Sequence, residues 1–149
     1  MHFERGDAIA RAAAADHAVL ATINRTGVPD LVPVCFAIVD EALAIPIDQV
    51  KPKGSTALGR VRNLERDPRA TLLVEGWDAA DWTRLWWVRL GLVRAGVRAG
   101  VSADVQARLE GALRDRYPQY ATAPFTEVLT FRIDNVAGWS ASAPDGSRR

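Results

Sequence analysis

The chain has 149 residues, of which 25% are charged and 48% hydrophobic, and its formal net charge is +1. This length and composition predict a single domain, residues 1–149, and exclude a disordered chain, a collagen-like repeat and a disulfide-rich scaffold. The near-neutral charge and the lack of a recognition helix argue against a nucleic-acid partner.

The sequence also bears on the compartment. The first seven residues include acidic side chains and no long apolar stretch, which is untypical of a signal peptide. No apolar run approaches the ~20 residues that a membrane helix needs, so we expect no membrane association. Cys35 is the single cysteine and cannot form an internal disulfide. A reducing, cytoplasmic location is therefore the expectation.

The first half of the chain predicts a short helix followed by three strands. Helix formers dominate residues 4–15. The β-rich runs that follow are residues 17–24, 31–39 and 43–47. A turn rich in glycine and proline, residues 25–30, separates the first two runs. Because these connections are too short for a crossover helix, the strands should pair antiparallel.

The second half predicts two longer helices and three more strands. Ser55 to Arg66 has apolar residues at a spacing of three and ends before Asp67-Pro68, since the residue before proline avoids the helical region. Ser102 is a suitable cap for a helix that runs to Arg116. The strands are residues 69–76, 85–95 and 127–136, and the polar tail is residues 143–149. Six strands without strict helix alternation predict a small closed or split antiparallel barrel.

Common catalytic and metal-binding patterns do not occur in the sequence. His2, His17 and Cys35 are scattered, so we expect no metal site. Cys35 lies in an apolar strand without a neighbouring base, which is typical of a small buried side chain. The sequence contains neither a nucleophile elbow nor a glycine-rich dinucleotide fingerprint.

The junction between the third strand and the following helix predicts an anion site. It holds the two lysines of the chain, Lys51 and Lys53, whereas the other 17 basic residues are arginine. Free backbone N–H groups and the helix dipole favour an anion at such a helix start. The hydroxyls of Ser55 and Thr56 lie in the same turn, and Arg60 lies about one turn further on. A phosphate fits this chemistry; the alternative is a solvated basic loop that only caps the helix.

Residues 82–89 hold three tryptophans and two arginines. Strand alternation would place Arg84 and Trp86 on one face of the sheet. Trp87 and Arg89 would then lie on the opposite face. Large aromatic rings beside guanidinium groups can stack on a planar conjugated ring. The alternative for the individual rings is core packing together with a dimer contact.

Three motifs in a fixed order carry a resemblance to a known family. They are Lys51-Pro52-Lys53 between strand and helix, the helix end Arg62 to Arg69, and the strand Trp86 to Gly91. Over roughly His17 to Trp139, this chain resembles the pyridoxamine 5'-phosphate oxidase-like split-barrel flavoproteins. The more similar branch is that of probable F420-dependent oxidoreductases. The resemblance implies a mainly β (α+β) fold, a six-stranded antiparallel split β-barrel with flanking helices, and a homodimer with two cofactor sites at the interface.

The resemblance also implies which residues would contact a flavin or deazaflavin. Pro33, Val34 and Cys35 would lie beside the ring, and Ile47 and Asp48 would make backbone contacts near it. Lys51 and Lys53 would bind the phosphate, with Ser55 or Thr56 assisting. Trp86, Trp87 and Arg89 would line the site from the later strand. Flavin oxidases of the family commonly carry Arg-Gln-Val where this chain has Trp86-Trp87-Val88. This difference argues against FMN and against oxidation of pyridoxamine phosphate.

The implied activity is an F420-dependent oxidoreductase. A hydride would pass between the deazaflavin and an unsaturated or conjugated organic substrate, and the accompanying proton would come from Asp48, Tyr117 or solvent. Because the cofactor carries the hydride, no catalytic side chain needs to stand out in the sequence. The alternatives are an FMN-dependent oxidoreductase, a non-catalytic protein that carries the cofactor or a haem-like ligand, and an interaction module without a ligand.

Overall fold

The computed structural model of the chain shows seven strands and three α-helices in the residues that it describes. It describes residues 1–47, 55–95, 101–122, 125 and 127–142, except for the side chains of 55–58. The helices are α1 (Arg5–Ala13), α2 (Ser55–Arg66) and α3 (Ala103–Arg116). The strands are β1 (Ala18–Ile23), β2 (Pro29–Val34), β3 (Ala37–Val39), β4 (Ala42–Ile47), β5 (Arg69–Gly76), β6 (Trp86–Arg94) and β7 (Glu127–Ser140).

All of these strands belong to one sheet whose two edges are joined by the chain itself. The order is β2-β1-β5-β6-β7-β4-β3, and every neighbouring pair is antiparallel. Only Cys35 and Phe36 connect β2 at one edge to β3 at the other. Three Cα steps span at most about 11 Å, so the sheet curls until its edges nearly meet. Within the residues the structure describes, β2 and β3 form no ladder with each other, and the fold is therefore split-barrel-like.

The prediction of six strands is wrong by one. The apolar run 31–39 forms two strands, because the chain leaves one sheet edge after Val34 and joins the other at Ala37. Hydrophobicity does not mark this break, since Val34, Phe36 and Ala37 are all buried. β2 also begins at Pro29, where the sequence predicted a turn. A proline is tolerated at this position because β2 is an edge strand.

The turn between β1 and β2 is shorter than predicted. The side-chain oxygen of Asn24 accepts hydrogen bonds from the amides of Thr26 at 3.0 Å and Val28 at 3.1 Å. Gly27 has a φ of 81°, a left-handed conformation that favours glycine. Together these contacts reverse the chain before β2 begins.

The predicted helices are confirmed. α2 spans the predicted residues and ends before Asp67-Pro68. The Ser102 hydroxyl caps α3 by accepting a hydrogen bond from the Val105 amide at 3.2 Å. β7 runs four residues beyond the predicted end, because residues 137–140 pair with the start of β6 and with the first residues of the chain. The Met1 amino group donates to the Ser140 carbonyl oxygen at 2.7 Å as part of this pairing.

α1 and α2 pack on the inner side of the sheet, α3 packs on the outer side of β3 and β4, and another part of the outer side is left to solvent. The larger core cluster packs α1 and α2 against the inner face and includes Phe36 and Phe131. A smaller cluster lies under α3, where Leu109 and Leu113 are fully buried. On the outer face of β2, β1 and β5, apolar side chains remain exposed, for example Leu31 at 65%.

Some sequence predictions concern membranes, metals and the tail. None of the helices that the structure describes combines the length and the apolar character needed to cross a membrane. In the same part of the chain, no three His, Cys, Asp or Glu side chains lie close enough together to hold a metal ion. Residues 143–149 lie outside the described residues.

Candidate functional site

A cleft of about 420 Å³ lies at one rim of the barrel, between the end of α1 and the start of β6. We call it the rim cleft. One wall is the connection from α1 to β1, residues 14–18. The remaining lining side chains are Val19, Leu73, Glu75 and Trp86. Its size lies within the usual range for small-molecule sites, ~300–1,000 Å³.

Trp86 enters the rim cleft because the residue opposite it is a glycine. A Cβ built on Gly76 would lie 2.0 Å from the indole nitrogen, so any larger residue would displace the ring. From α1, the guanidinium carbon of Arg11 lies 5.0 Å from the Trp86 ring centroid, which is a cation–π distance. The half-buried indole also packs against the core. Trp86 is thus a positioned aromatic wall of the cleft.

Strand pairing places three other predicted residues around the rim cleft. Each is the cross-strand partner of a lining residue: Pro33 of Val19, Arg89 of Leu73, and Trp87 of Glu75. Val19 and Leu73 also pair with each other, so one row of residues crosses four strands from Pro33 to Arg89. Three strand spacings of ~4.8 Å make this row about 14 Å wide.

The predicted alternation of side chains between the two faces of the sheet is confirmed within β6. It does not extend to Arg84, which precedes the strand. Trp86 lies on the inner side of β6, whereas Trp87 and Arg89 lie on the outer side, where the Arg89 guanidinium carbon is 5.6 Å from the Trp87 ring centroid. Arg84 is not on the strand, because Trp82–Arg84 forms a 3₁₀ turn capped by the Asp81 carboxylate. The Asp81 oxygen accepts a hydrogen bond from the Thr83 amide at 3.1 Å, and strand geometry starts only after this turn.

The predicted ring contacts on β2 differ in their exposure. Pro33 is exposed and Cys35 is half-buried, whereas the Val34 side chain is 6% exposed and belongs to the core. Val34 could therefore meet a ligand only through its backbone. Cys35 lies at the crossover between the two sheet edges, in the two-residue link that leads to Ala37.

Tyr117 ties this crossover to the wall of the rim cleft. Its hydroxyl donates to the Asp16 carbonyl oxygen at 2.7 Å and accepts from the Phe36 amide at 3.2 Å. Burial raises the pKa of Tyr117 above its ordinary value, and the bond from the Phe36 backbone opposes this in part. The Tyr117 hydroxyl is thus neutral and links two backbone segments, and its proton points to a carbonyl oxygen. This geometry favours a positioning role over the predicted role of proton donor.

Ile47 approaches the same crossover from the other side. It ends β4, which continues three residues beyond the pairing of Ala44 with Ala37. Because β3 and β4 are antiparallel, this continuation runs towards Cys35 and Phe36. The register therefore brings the end of β4 and the end of β2 to one region of the barrel.

The predicted phosphate end of the site is described only in part. Arg60 is half-buried on α2. Ser55 and Thr56 begin α2, but their side chains are not among those described. Asp48, Lys51 and Lys53 lie outside the described residues. Their contacts with a cofactor stay predictions.

The rim cleft fits a planar ring and does not fit a phosphate. Val19, Leu73 and the Trp86 indole give it apolar and aromatic walls. Asp16 and Glu75 are the carboxylates that line it, and these would repel a phosphate. A ligand that carries both groups would have to place its phosphate elsewhere, which agrees with the prediction of a separate basic site.

Sequence reasoning missed several lining residues. Val19, Leu73 and Glu75 occupy the outward positions of alternating strands, and that alternation was readable in the sequence. Their meeting with Trp86 was not readable, because it depends on the pairing of β1 with β5. Arg11 was missed for a similar reason, since its contact with Trp86 joins α1 to a strand 75 residues away.

Solved structures with the same architecture are similar to this chain. A conserved hypothetical protein of Mycobacterium tuberculosis is 19% identical, with a TM-score of 0.69 over 97% of this chain and 94% of that one. A putative 5-nitroimidazole antibiotic resistance protein from Bacteroides thetaiotaomicron is 12% identical, with a TM-score of 0.65 over 93% and 86%. A FAD-binding protein from Mesorhizobium loti is 14% identical, with a TM-score of 0.62 over 93% and 95%. No family model matches the sequence, and no curated protein matches it.

At these identities the likeness establishes the fold. The chain has the curled antiparallel sheet and flanking helices of split-barrel-like α+β proteins, and one of its similar structures is a FAD-binding protein. The expected fold class is thereby confirmed, with seven strands in place of six.

Proposed function

We propose that this chain binds a flavin-type cofactor, deazaflavin F420, with its ring in the rim cleft, and acts as an oxidoreductase. The observation that carries the proposal is the cleft itself, whose apolar walls meet the Trp86 indole and whose neighbours include Arg89. Flat aromatic and apolar surfaces near a guanidinium group suit a planar conjugated ring. The similarity to a FAD-binding protein supports a flavin-type ligand.

Under this proposal the residues of the chain bind and orient the cofactor. Val19 and Leu73 exclude water from one side of the ring, and Trp86 contacts it from the barrel side. Lys51 and Lys53 hold the phosphate through charge-assisted hydrogen bonds. When bound, the cofactor supplies a hydride to an unsaturated or conjugated organic substrate. The proton comes from Asp48 or solvent, because the Tyr117 proton is already donated to a backbone carbonyl.

The proposal includes a homodimer. Leu31 and Leu73 are 65% and 40% exposed on the outer face of β2 and β5, and Pro33 and Val19 lie between them on the same face. Such a continuous apolar face is typical of a surface that another protein covers. A second copy on this face would close the open side of the rim cleft, and the site would then include residues of both subunits.

F420 is preferred to FMN because of the residues at the start of β6. Trp86-Trp87-Val88 stands where flavin oxidases of the resembling family commonly carry Arg-Gln-Val. This chain therefore lacks the cation that the arginine would supply near a flavin. FMN stays the alternative cofactor, since both molecules carry a flat tricyclic ring and a phosphate.

Equilibrium titration of the purified protein with F420 and with FMN tests the proposal. Tryptophan fluorescence is the readout, because Trp86 would sense a ring in the rim cleft. We expect F420 to quench it with the higher affinity. Lys51→Ala together with Lys53→Ala removes two charge-assisted contacts, each worth ~1.5–3 kcal/mol, so affinity should fall at least tenfold. Arg132→Ala, an exposed change on β7 at the other end of the sheet, is the control.

The outcomes separate the alternatives. Tighter binding of FMN would replace F420 in the proposal while keeping the site. Binding without turnover of the reduced cofactor on quinones, tetrapyrroles or enones would indicate a non-catalytic binding protein. Quenching by neither cofactor would overturn the proposal, and an unchanged affinity in the double lysine variant would reject the phosphate site.

A further inference from the structure

An open groove of about 770 Å³ lies between α2 and the turn that follows β1, away from the rim cleft. Arg25 projects from the turn, and Arg62 and Arg66 project from α2. Glu65 is the acidic residue among the described residues of its lining. Three guanidinium groups outnumber two carboxylates, Glu65 in the lining and Asp30 against the floor, so the groove is cationic. We call it the arginine groove.

Two of the three cations of the arginine groove are not used by the fold as ion pairs. Within the described residues, salt bridges engage other arginines, such as Arg5, Arg69 and Arg94, and neither Arg25 nor Arg62 takes part in one. Both side chains are exposed. Their charges are therefore available to a ligand.

The floor of the groove is rigid. The Asn63 amide nitrogen donates to Thr22 Oγ1 at 3.0 Å and to the Asp30 carboxylate at 2.9 Å. The Asn63 oxygen accepts from Arg66 Nη2 at 3.0 Å, which holds one guanidinium in place. The Asn24 side chain closes the neighbouring turn that carries Arg25. Cations fixed on rigid elements lose little conformational entropy when they bind an anion.

Gly59 is the second observation that points to a ligand. It lies inside α2, one turn before Asn63, and lines the arginine groove. Among the described residues, a Cβ built on it would meet no atom within 4 Å, so their packing does not require a glycine there. A glycine inside a helix is destabilising relative to alanine. Open space over a bare backbone next to arginines suits close approach of a ligand.

We infer that the arginine groove is a second binding site, which takes a small ligand with at least two phosphate or carboxylate groups. Arg62 and Arg66 are four residues apart on one helix face, with Cβ atoms ~6 Å apart, so they can address two neighbouring oxyanions. The planar guanidinium fork matches both phosphate and carboxylate. This site is independent of the proposed cofactor.

A small ligand fits better than a long polyanion. The chain has a net charge of +1, and Glu65 in the groove would repel part of a long polyanion. The lining residues come from the turn after β1 and from two turns of α2. A groove of this length suits a compact ligand.

Calorimetric titration with inorganic diphosphate, citrate and orthophosphate at low ionic strength tests the inference. All proteins compared carry Lys51→Ala and Lys53→Ala, which removes the other predicted anion site. We expect diphosphate or citrate to bind at least tenfold more tightly than orthophosphate, and the tighter of the two identifies the preferred oxyanion. Arg25→Gln with Arg62→Gln should weaken that binding at least tenfold, whereas Arg132→Gln should not change it.

Gly59→Ala separates ligand contact from folding. The added methyl group should raise the melting temperature by about 2–3 °C through helix propensity, yet weaken diphosphate or citrate binding. Gly111→Ala in α3, which also has open space, should raise the melting temperature without changing binding. The inference would be overturned by unchanged affinity in the variant with Arg25→Gln and Arg62→Gln, by unchanged affinity in Gly59→Ala, or by a lack of saturable binding of both diphosphate and citrate. None of these results depends on whether F420 or FMN binds.

Discussion

At the scale of single residues, Asn63 joins three elements through one buried amide. It is 3% exposed on α2, and it contacts Thr22 on β1 and Asp30 on β2. The bond to Asn63 is the largest cause that lowers the pKa of Asp30, followed by the bond from Asn24. Thr22 is also buried, and the Asn63 amide is the partner of its hydroxyl among the described residues.

Replacing Asn63 should be costly for this reason. Asn63→Ala removes the bonds to Thr22 and Asp30 and leaves a buried hydroxyl without its donor. We expect the free energy of unfolding to fall by ~2–3 kcal/mol. Urea denaturation followed by circular dichroism measures it.

A second substitution checks the mechanism. Thr22→Val in the Asn63→Ala background removes the orphaned hydroxyl, so it should recover part of the lost stability. In the native background, Thr22→Val should instead destabilise. Equal effects of Thr22→Val in both backgrounds would contradict the proposed coupling.

At the scale of elements, the hairpin of β5 and β6 concentrates the tryptophans. Trp77 and Trp82 are exposed on its loop with ring centroids 6.0 Å apart, and Trp86 and Trp87 begin β6. Trp139 pairs with Trp87 from β7. The end of the barrel that carries the rim cleft thus contains all five tryptophans, and fluorescence reports directly on it.

Gly76→Ala should disturb this hairpin. A methyl group at this position would collide with the Trp86 indole, which must then leave its place in the rim cleft. We expect a loss of ~1–3 kcal/mol in unfolding free energy and a shift of the tryptophan emission maximum. Gly111→Ala has no such neighbour and should stabilise the protein by ~0.5–1 kcal/mol without an emission change. An unaltered emission spectrum in Gly76→Ala would contradict the assigned position of Trp86.

At the scale of the whole molecule, the curl of the sheet creates two different faces. The inner face is filled by the core and covered by α1 and α2, whereas α3 covers the outer face of β3 and β4. The outer face of β2, β1 and β5 carries exposed Leu31 and Leu73 next to the rim cleft. We therefore expect the functional unit to be a dimer formed through the outer face.

Glu substitutions on this face test the dimer. Leu31→Glu together with Leu73→Glu places charges where the second copy should pack, so the dimer should dissociate at micromolar concentration. Analytical ultracentrifugation measures the change in mass. Ala107→Glu, an exposed change on α3, should leave the dimer intact. If the unsubstituted protein sediments as a monomer, the proposed dimer is wrong.

Much of the fold could be predicted because its signals are local. The bounds of α2 follow from apolar residues at a spacing of three and from Asp67-Pro68. The cap of α3 by Ser102 is a contact between residues three positions apart. The candidate site was predicted less completely. Trp86 lines the rim cleft, and Pro33, Trp87 and Arg89 are strand partners of other lining residues, whereas the Val34 side chain belongs to the core.

The sequence by itself determined the three α-helices of the described residues, the antiparallel pairing of the strands, and the aromatic and basic residues available for a site. These depend on periodicity, caps and turns within a few residues of each other. Only the tertiary structure decided that the run 31–39 divides at Cys35, and that Val19 and Leu73 meet Trp86 in one cleft. The physical reason is that strand order and register are set by contacts between distant residues, so no local pattern records which strands become neighbours.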